Sequence, residues 1–394
     1  MSPVQTIWIE TGQGGTSQRD GVNVPVDFIP GGEWQGVFAC QIIPRSFDDR
    51  MLLKWGFNAA ALFPEALDRQ RLFVESQHFG NPTLQEGLPE KRTLALRCIR
   101  NPNQDGLALS LIGKICAATR EDVLRDALSY CQEICAIFPY DYRIIPATDR
   151  ENFIRLAGWQ LLQACSRRDS LVQIRRMENN YFVNGKPIYL LGFWQTSDHS
   201  DEQIWRGLIG YPGPILVNIC LRPAVISNFE RQILSKIQQN TKNIELDNHP
   251  ESHQIKSWAE STLNRRLAFG PRSYYVQIQI ASPDGVKDSI LRAIGSAVTR
   301  SADQAQSFSG FESIRPINDQ EAVNWSQYIH WLEFLTGSRF GPDFERLKDL
   351  SDLAETCSVF RLPYPPEPDF ADIRFVSPEA QDGNTGNHTD EASQ

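Results

Sequence analysis

Few residues in this chain have the types and spacing for chemistry, and they are scattered. His78, in Glu75-Ser-Gln-His-Phe-Gly80, is the most enzyme-like. An imidazole set beside a carboxylate or the Cys40 thiol would serve acid–base or nucleophilic work. The glycine-rich loop Gly12–Gly15 brings neither the lysine nor the helix that a phosphate loop needs, and the full phosphate-loop pattern occurs nowhere in the chain. A turn between strands accounts for it, and no ATP hydrolysis is expected from this chain alone. His249 and His253 have the spacing of helical metal ligands, but Pro250 lies between them in polar surroundings with no evident further donors. A solvated helix start accounts for that pair. Cys131 and Cys135 lie four apart on one helix with Leu128 and Phe138 as neighbours, which reads as core packing. No catalytic residue, cofactor or metal ligand is expected.

Two other features point to partners. Arg167, Arg168, Arg265 and Arg266 would contact phosphates if the fold brought the two pairs together. Arg175 and Arg176 cannot both join such a patch, because consecutive strand residues point to opposite faces. The stretch Phe360-Arg-Leu-Pro-Tyr-Pro-Pro-Glu-Pro-Asp-Phe370 is stiff and has aromatic ends. Preordered extended peptide loses little entropy on docking, so Phe360, Leu362, Pro363, Tyr364, Pro365, Pro366 and Phe370 are candidate partner contacts. A plain linker is the alternative.

These residues belong to a chain of 394 with 39 Lys+Arg against 48 Asp+Glu, a formal charge of −9. At 41% hydrophobic it can bury real cores, and its length suits two or three domains. The acidic balance argues against coating nucleic acid by charge alone. Glu379, Asp382, Asp390 and Glu391 fall after Phe375, where there is no Lys or Arg. No membrane span or signal peptide is visible. Most of the eight cysteines sit in apolar runs, as in a reduced cytoplasmic protein.

The elements follow from periodicity and punctuation. Short strands are expected at Ile7–Ile9, Val22–Phe28 and Gly36–Ile43, then a helix over Asp48–Leu62 ended by Pro64, and a strand at Arg71–Glu75. Thr93–Ile99 and Leu107–Ile115 read as a hairpin. Thr119 caps a helix with Asp122 three residues on, and Tyr142–Ile145 is a strand. Thr148 opens the next helix. Strands at Leu171–Met177 and Pro187–Trp194 flank a turn region at Asn179–Gly185. Ser200 opens a helix, and Pro214–Leu221 is a buried strand. Helices cover Asn228–Gln239 and His253–Leu267, Tyr274–Ala281 is a strand, Asp284 begins a helix, and Phe311–Arg315 is a strand. Asp319–Phe334 and Asp343–Phe360 read as helices. The expected fold is α+β, with two consecutive ferredoxin-like (split β-α-β) units. The parts are an N-terminal β-rich segment (1–90), a first unit (91–158), a second unit (159–316), a helical segment (317–362), a proline-rich extended segment (363–375) and a disordered acidic tail (376–394).

Three stretches resemble the region preceding the motor domain in HerA-like and conjugative-transfer (type IV secretion-like) ATPases. They are Leu208-Ile-Gly-Tyr-Pro-Gly-Pro-Ile-Leu-Val-Asn-Ile-Cys-Leu-Arg-Pro223, Tyr275-Val-Gln-Ile-Gln-Ile-Ala-Ser-Pro283 with the helix through Ala293-Ile-Gly-Ser296, and Leu350-Ser-Asp-Leu-Ala-Glu-Thr-Cys-Ser-Val-Phe-Arg-Leu-Pro363. In the family a helix and Leu-Pro element similar to the third stretch leads into the ATPase. Here the polar tail after Phe375 follows instead, and the motor's catalytic positions have no counterpart. The resemblance implies a non-catalytic adaptor or assembly module acting with a separate P-loop ATPase, cytoplasmic or peripheral to a membrane complex. Nucleic acid would be reached through that partner. The alternatives are a nucleic-acid-binding accessory protein using the arginine pairs, and an enzyme with His78 near the Gly12–Gly15 loop.

Overall fold

The computed structural model describes residues 7–11, 16–19, 22–25, 34–45, 59–79, 91–103, 106–196, 200–246, 249–268, 272–299, 308, 310–335 and 345–363. Gly12–Gly15, residues 364–370 and the acidic tail lie outside the described residues. In chain order the elements are β1 (Ile7–Thr11), β2 (Thr16–Arg19), β3 (Val22–Pro25), β4 (Trp34–Pro44), α1 (Ala59–Phe79), β5 (Arg92–Arg100), β6 (Leu107–Ala117), α2 (Arg120–Ile137), β7 (Tyr142–Pro146), α3 (Arg150–Ala157), α4 (Trp159–Ala164) and β8 (Leu171–Arg176). There follow β9 (Glu178–Val183), β10 (Lys186–Leu191), α5 (Ser200–Ile209), β11 (Ile215–Ala224), α6 (Asn228–Lys242), α7 (Pro250–Leu267), β12 (Ser273–Ala281), α8 (Asp288–Thr299), β13 (Phe311–Ile314), α9 (Asp319–His330), α10 (Glu345–Asp349), β14 (Leu350–Ser351) and α11 (Leu353–Val359).

The protein is a mixed α+β structure built on one antiparallel sheet. Its strand order is β1-β4-β6-β5-β11-β12-β8-β13, with β7 sharing an edge of β4 with β1, and β14 sharing an edge of β12 with β8. The order has an internal echo. On one side β4, β5, β6 and β7 lie in space as β7-β4-β6-β5, with α1 and α2 as the crossovers. On the other, β8, β11, β12 and β13 lie as β13-β8-β12-β11, with α5 and α8 as the crossovers. The halves join where β5 pairs with β11, Leu96 opposite Ile219.

Strand alternation gives the sheet two unlike faces. Leu94, Leu96 and Cys98 of β5, Val217, Ile219 and Leu221 of β11, and Val276, Ile278 and Ile280 of β12 belong to one large apolar core with α1, α2, α5, α8 and α11. The opposite positions of the same strands carry Thr93, Arg97, Asn218, Arg222, Gln277 and Gln279, all buried. Residues of α3, α4 and α9 and the segment 332–335 cover that second face. With both faces covered, β11 is buried along its whole length and reads as a nearly unbroken apolar run. Pro223 fits because β5 pairing ends at Leu221, so its missing N–H leaves no partner waiting on that side.

Several expected elements are corrected. Of the helix expected over Asp48–Leu62, residues 48–58 lie outside the described residues; from Ala59 a helix runs through Pro64, where an end was expected, to Phe79, and it absorbs the strand expected at Arg71–Glu75. Ala66, Gln70, Phe73, Val74 and Gln77 are its buried stripe, at helical spacing, and that burial outweighs the one hydrogen bond lost at an early proline. The cap of α3 is Asp149, not Thr148, and its side chain accepts from the Asn152 N–H at 2.8 Å. The helix expected from Asp284 starts at Asp288, because Gly285 stands at φ 91° in a turn. The Asn179–Gly185 turn region is mostly strand β9, paired with β10 through a two-residue turn at Asn184 (φ 50°) and Gly185 (φ 73°). The helix expected over Asp319–Phe334 ends at His330, and that expected over Asp343–Phe360 is interrupted by β14.

Candidate functional site

The candidate partner contacts Phe360, Leu362 and Pro363 fall on a strap that closes the chain against itself. It starts at α11, whose cap Asp352 accepts from the Glu355 N–H at 2.8 Å while the Glu355 carboxylate accepts the Asp352 N–H in return. Glu355 is fully buried. Its Oε1 accepts from Arg176 Nη1 at 2.9 Å, Arg266 Nη2 at 3.2 Å and the Trp194 N–H at 3.2 Å. Arg176 and Arg266 both also donate to the Leu350 carbonyl, and Arg176 to the Lys348 carbonyl. Burial and the like charge of Arg176 press the Arg266 guanidinium down to about 10. Burial is the largest influence on the Asp352 carboxyl and would raise it, but the Arg265 hydrogen bond at 2.7 Å, the Glu355 N–H and the charges of Arg265 and Arg266 together outweigh it, and the group titrates below its ordinary value.

Beyond α11 the backbone crosses to the first half of the chain. Phe360 and Leu362 enter the large core. The Leu362 N–H donates to Gln70 Oε1 at 3.0 Å, and Tyr142 Oη donates to the Pro363 carbonyl at 2.7 Å. Gln70 Nε2 donates to Tyr142 Oη at 3.0 Å and ties those contacts together. Arg361 Nη1 donates to Thr196 Oγ1 at 3.1 Å. The strap therefore touches α1, β7 and the second half at once. Tyr364, Pro365, Pro366 and Phe370 lie outside the described residues.

The four candidate phosphate arginines sit at opposite ends of β8. Arg167 and Arg168 are exposed just before it: Arg167 Nη2 donates to the Pro283 carbonyl at 3.2 Å, and the Arg168 N–H donates to Asp319 Oδ1 at 2.8 Å. Arg265 and Arg266 lie beyond its far end, engaged with Asp352 and Glu355. Arg266 is 1% exposed, so no phosphate in solution reaches it.

His78 is half-buried at the end of α1, its Nε2 2.6 Å from the Ser273 carbonyl and its ring edge-on to Tyr274 at 4.7 Å. Burial lowers its pKa, with the Ser273 carbonyl pulling the other way. The ring fastens α1 to β12. Cys40 stands on β4, four strands from β12 in the sheet order, and its thiol meets Cys131 rather than His78. The two do not form a dyad.

Sequence reading missed the buried polar row on the second face. Arg97 Nε donates to Asn218 Oδ1 at 2.8 Å, Asn218 Nδ2 to Gln279 Oε1 at 2.5 Å, and Gln279 Nε2 to Gln277 Oε1 at 3.0 Å. Gln277 then holds the Leu335 backbone through both its amide groups. Arg97 also donates to the Ala157 and Ile329 carbonyls, and burial presses its pKa to about 10. Further along the same face, opposite Thr93, Lys114 Nζ meets Glu333 Oε1 at 2.7 Å. Single polar residues at alternate positions in otherwise apolar strands were the available signal.

A third grouping is wholly made of thiols. Cys40 of β4 and Cys131 of α2 have their Sγ atoms 3.8 Å apart, and Cys135 completes a trio whose sulfurs all lie within 4.8 Å. Hydrogen bonds from Cys131 and Cys40 hold the Cys135 thiol well below its ordinary range.

Compared with known proteins, the chain matches no family model and no curated protein. Among the described residues no helix is long and apolar enough to cross a membrane.

Proposed function

We propose that the protein is a non-catalytic adaptor or assembly module, built of two ferredoxin-like units, that acts with a separate P-loop translocation ATPase of the HerA-like or conjugative kind. The reading of the units, with the first taken from β4 rather than from residue 91, rests on the spatial order of each half, in which the first and third strands are central, the fourth flanks the first and the second flanks the third. The location proposed is cytoplasmic, free or peripheral to a membrane complex.

The observation that carries the functional reading is the strap. The stretch Leu350–Pro363, similar to the family's lead-in to its motor, is clamped by Arg176 and Arg266 at one end and by Gln70 and Tyr142 at the other. A segment held at both ends fixes Pro363 relative to both halves of the sheet and gives a partner a defined place to dock beside it. That is what an assembly module must do, and it requires no chemistry of its own.

Crosslinked pull-down of the protein from its native host tests this. Enrichment of a P-loop ATPase is expected, together with no ATP hydrolysis by the purified chain. Recovery as a lone monomer, with no ATPase enriched over a mock sample, overturns it.

A further inference from the structure

Two elements of the first half bring together three of the eight cysteines. Cys40 points from β4 into the large apolar core, because its neighbours Phe38 and Ile42 on the same face do so. Cys131 and Cys135 stand one helical turn apart on the stripe of α2 that packs against β4. The Cys40 and Cys131 sulfurs are 3.8 Å apart and no pair of the three exceeds 4.8 Å. An ion with metal–sulfur bonds of about 2.3 Å spaces its sulfurs by about 4.0 Å in a trigonal plane. The trio needs only rotamer-scale adjustment to close on one. Cys98, Cys116, Cys165, Cys220 and Cys357 join no such group among the described residues.

We infer that Cys40, Cys131 and Cys135 form a three-thiolate site for a soft monovalent cation, Cu(I). Thiolate sulfur is soft and selects Cu(I), zinc or iron–sulfur clusters. Structural zinc takes four protein donors, and no histidine, carboxylate or fourth cysteine joins these three among the described residues. Three sulfurs complete a trigonal Cu(I) site. Cys40 and Cys131 are fully buried, which keeps water out of the coordination plane. Cys135 is only partly buried, which leaves the ion a way in and lets solvent damp the charge. Binding holds all three sulfurs as thiolates and releases to solvent whatever protons they carried, with no change of oxidation state, so the complex with Cu(I) is dianionic. The bound ion clips α2 to β4.

The test uses the full chain, reduced and anaerobic, titrated with Cu(I) against a competing bicinchoninate chelator. One equivalent should be retained, with a thiolate-to-copper absorption in the near ultraviolet and an X-ray absorption spectrum showing three sulfurs at about 2.3 Å. Even outer-shell changes typically weaken metal sites 10–100-fold, so Cys131→Ser and Cys135→Ser should each weaken binding at least about a hundredfold. Cys357→Ser, off the cluster, should not change it. Circular dichroism checks that each variant is folded, and Cys135→Ser, the most exposed position of the three, guards against loss by misfolding. Failure of folded wild type to hold Cu(I) against the chelator overturns the inference. So does equal affinity in folded Cys131→Ser and Cys135→Ser, or a stronger preference for Zn(II).

Discussion

Gln70 on α1 and Leu362 on the strap are joined twice across 292 residues of chain: the Leu362 N–H donates to Gln70 Oε1 at 3.0 Å, and Gln70 Nε2 lies 3.5 Å from the Leu362 carbonyl. The amide also donates to Tyr142, so one buried side chain anchors strap, helix and β7 together. Gln70→Ala leaves the Leu362 N–H buried without its acceptor, and an orphaned buried group costs about 1–3 kcal/mol. Urea unfolding should show that loss. Limited trypsinolysis should cut after Arg361 sooner than in wild type, and an unchanged cleavage rate would mean that Gln70 does not hold the strap.

Glu355 gives a sharper case, because its one carboxylate pairs with two buried guanidiniums at once. Removing one side of a buried ion pair strands the other charge and typically costs about 3–5 kcal/mol. Glu355→Gln should show a loss of this size in chemical denaturation. Adding Arg266→Met should recover part of it, since one of the stranded charges is then gone. Double-mutant coupling near zero would show that the two side chains do not interact.

On the opposite face, Lys114 and Glu333 pair at 2.7 Å with side chains 2% and 10% exposed. Arg222 stands 3.9 Å from the same carboxylate and partly compensates for loss of the lysine. Lys114→Met should therefore destabilise the protein by less than Glu333→Leu, which strands two cations. The double variant Lys114→Met/Glu333→Leu should be more stable than Glu333→Leu alone. Thermal unfolding midpoints of the four proteins decide the order.

How far the fold was legible depends on how local each signal was. The start of α2 was readable because Thr119 and Asp122 are three residues apart and make the cap themselves. The β9–β10 hairpin carried an Asn184-Gly185 turn, a strong local signal, yet the polar β9 hid the alternation around it. In α1 the run Leu72-Phe73-Val74 looks like a strand in a short window, and only the longer stripe from Ala66 to Gln77 reveals the helix. β14 is two residues long, too short for any periodicity. The strap and the thiol trio were beyond local reading, since Gln70 and Cys40 meet their partners through closure of the sheet, 292 and 91 residues away.

His330 ends α9 with its ring stacked on Trp159 at 3.8 Å. Burial, helped by the Arg97 guanidinium, presses its pKa from 6.5 to about 3. The folded protein thus keeps the ring neutral where the unfolded chain would protonate it. Above about pH 6.5 both states are neutral and the residue adds no pH dependence. Below that the unfolded state binds the extra proton, so stability falls with pH by up to about 1.4 kcal/mol per unit until the folded group titrates near pH 3. His330→Phe keeps an aromatic ring on Trp159 and removes the proton site. Comparing urea unfolding at pH 7 and pH 5, wild type should lose about 2 kcal/mol more than the variant. Exposed carboxylates change both proteins alike and cancel in that difference. Parallel stability profiles for the two would mean that His330 does not stay neutral in the folded protein.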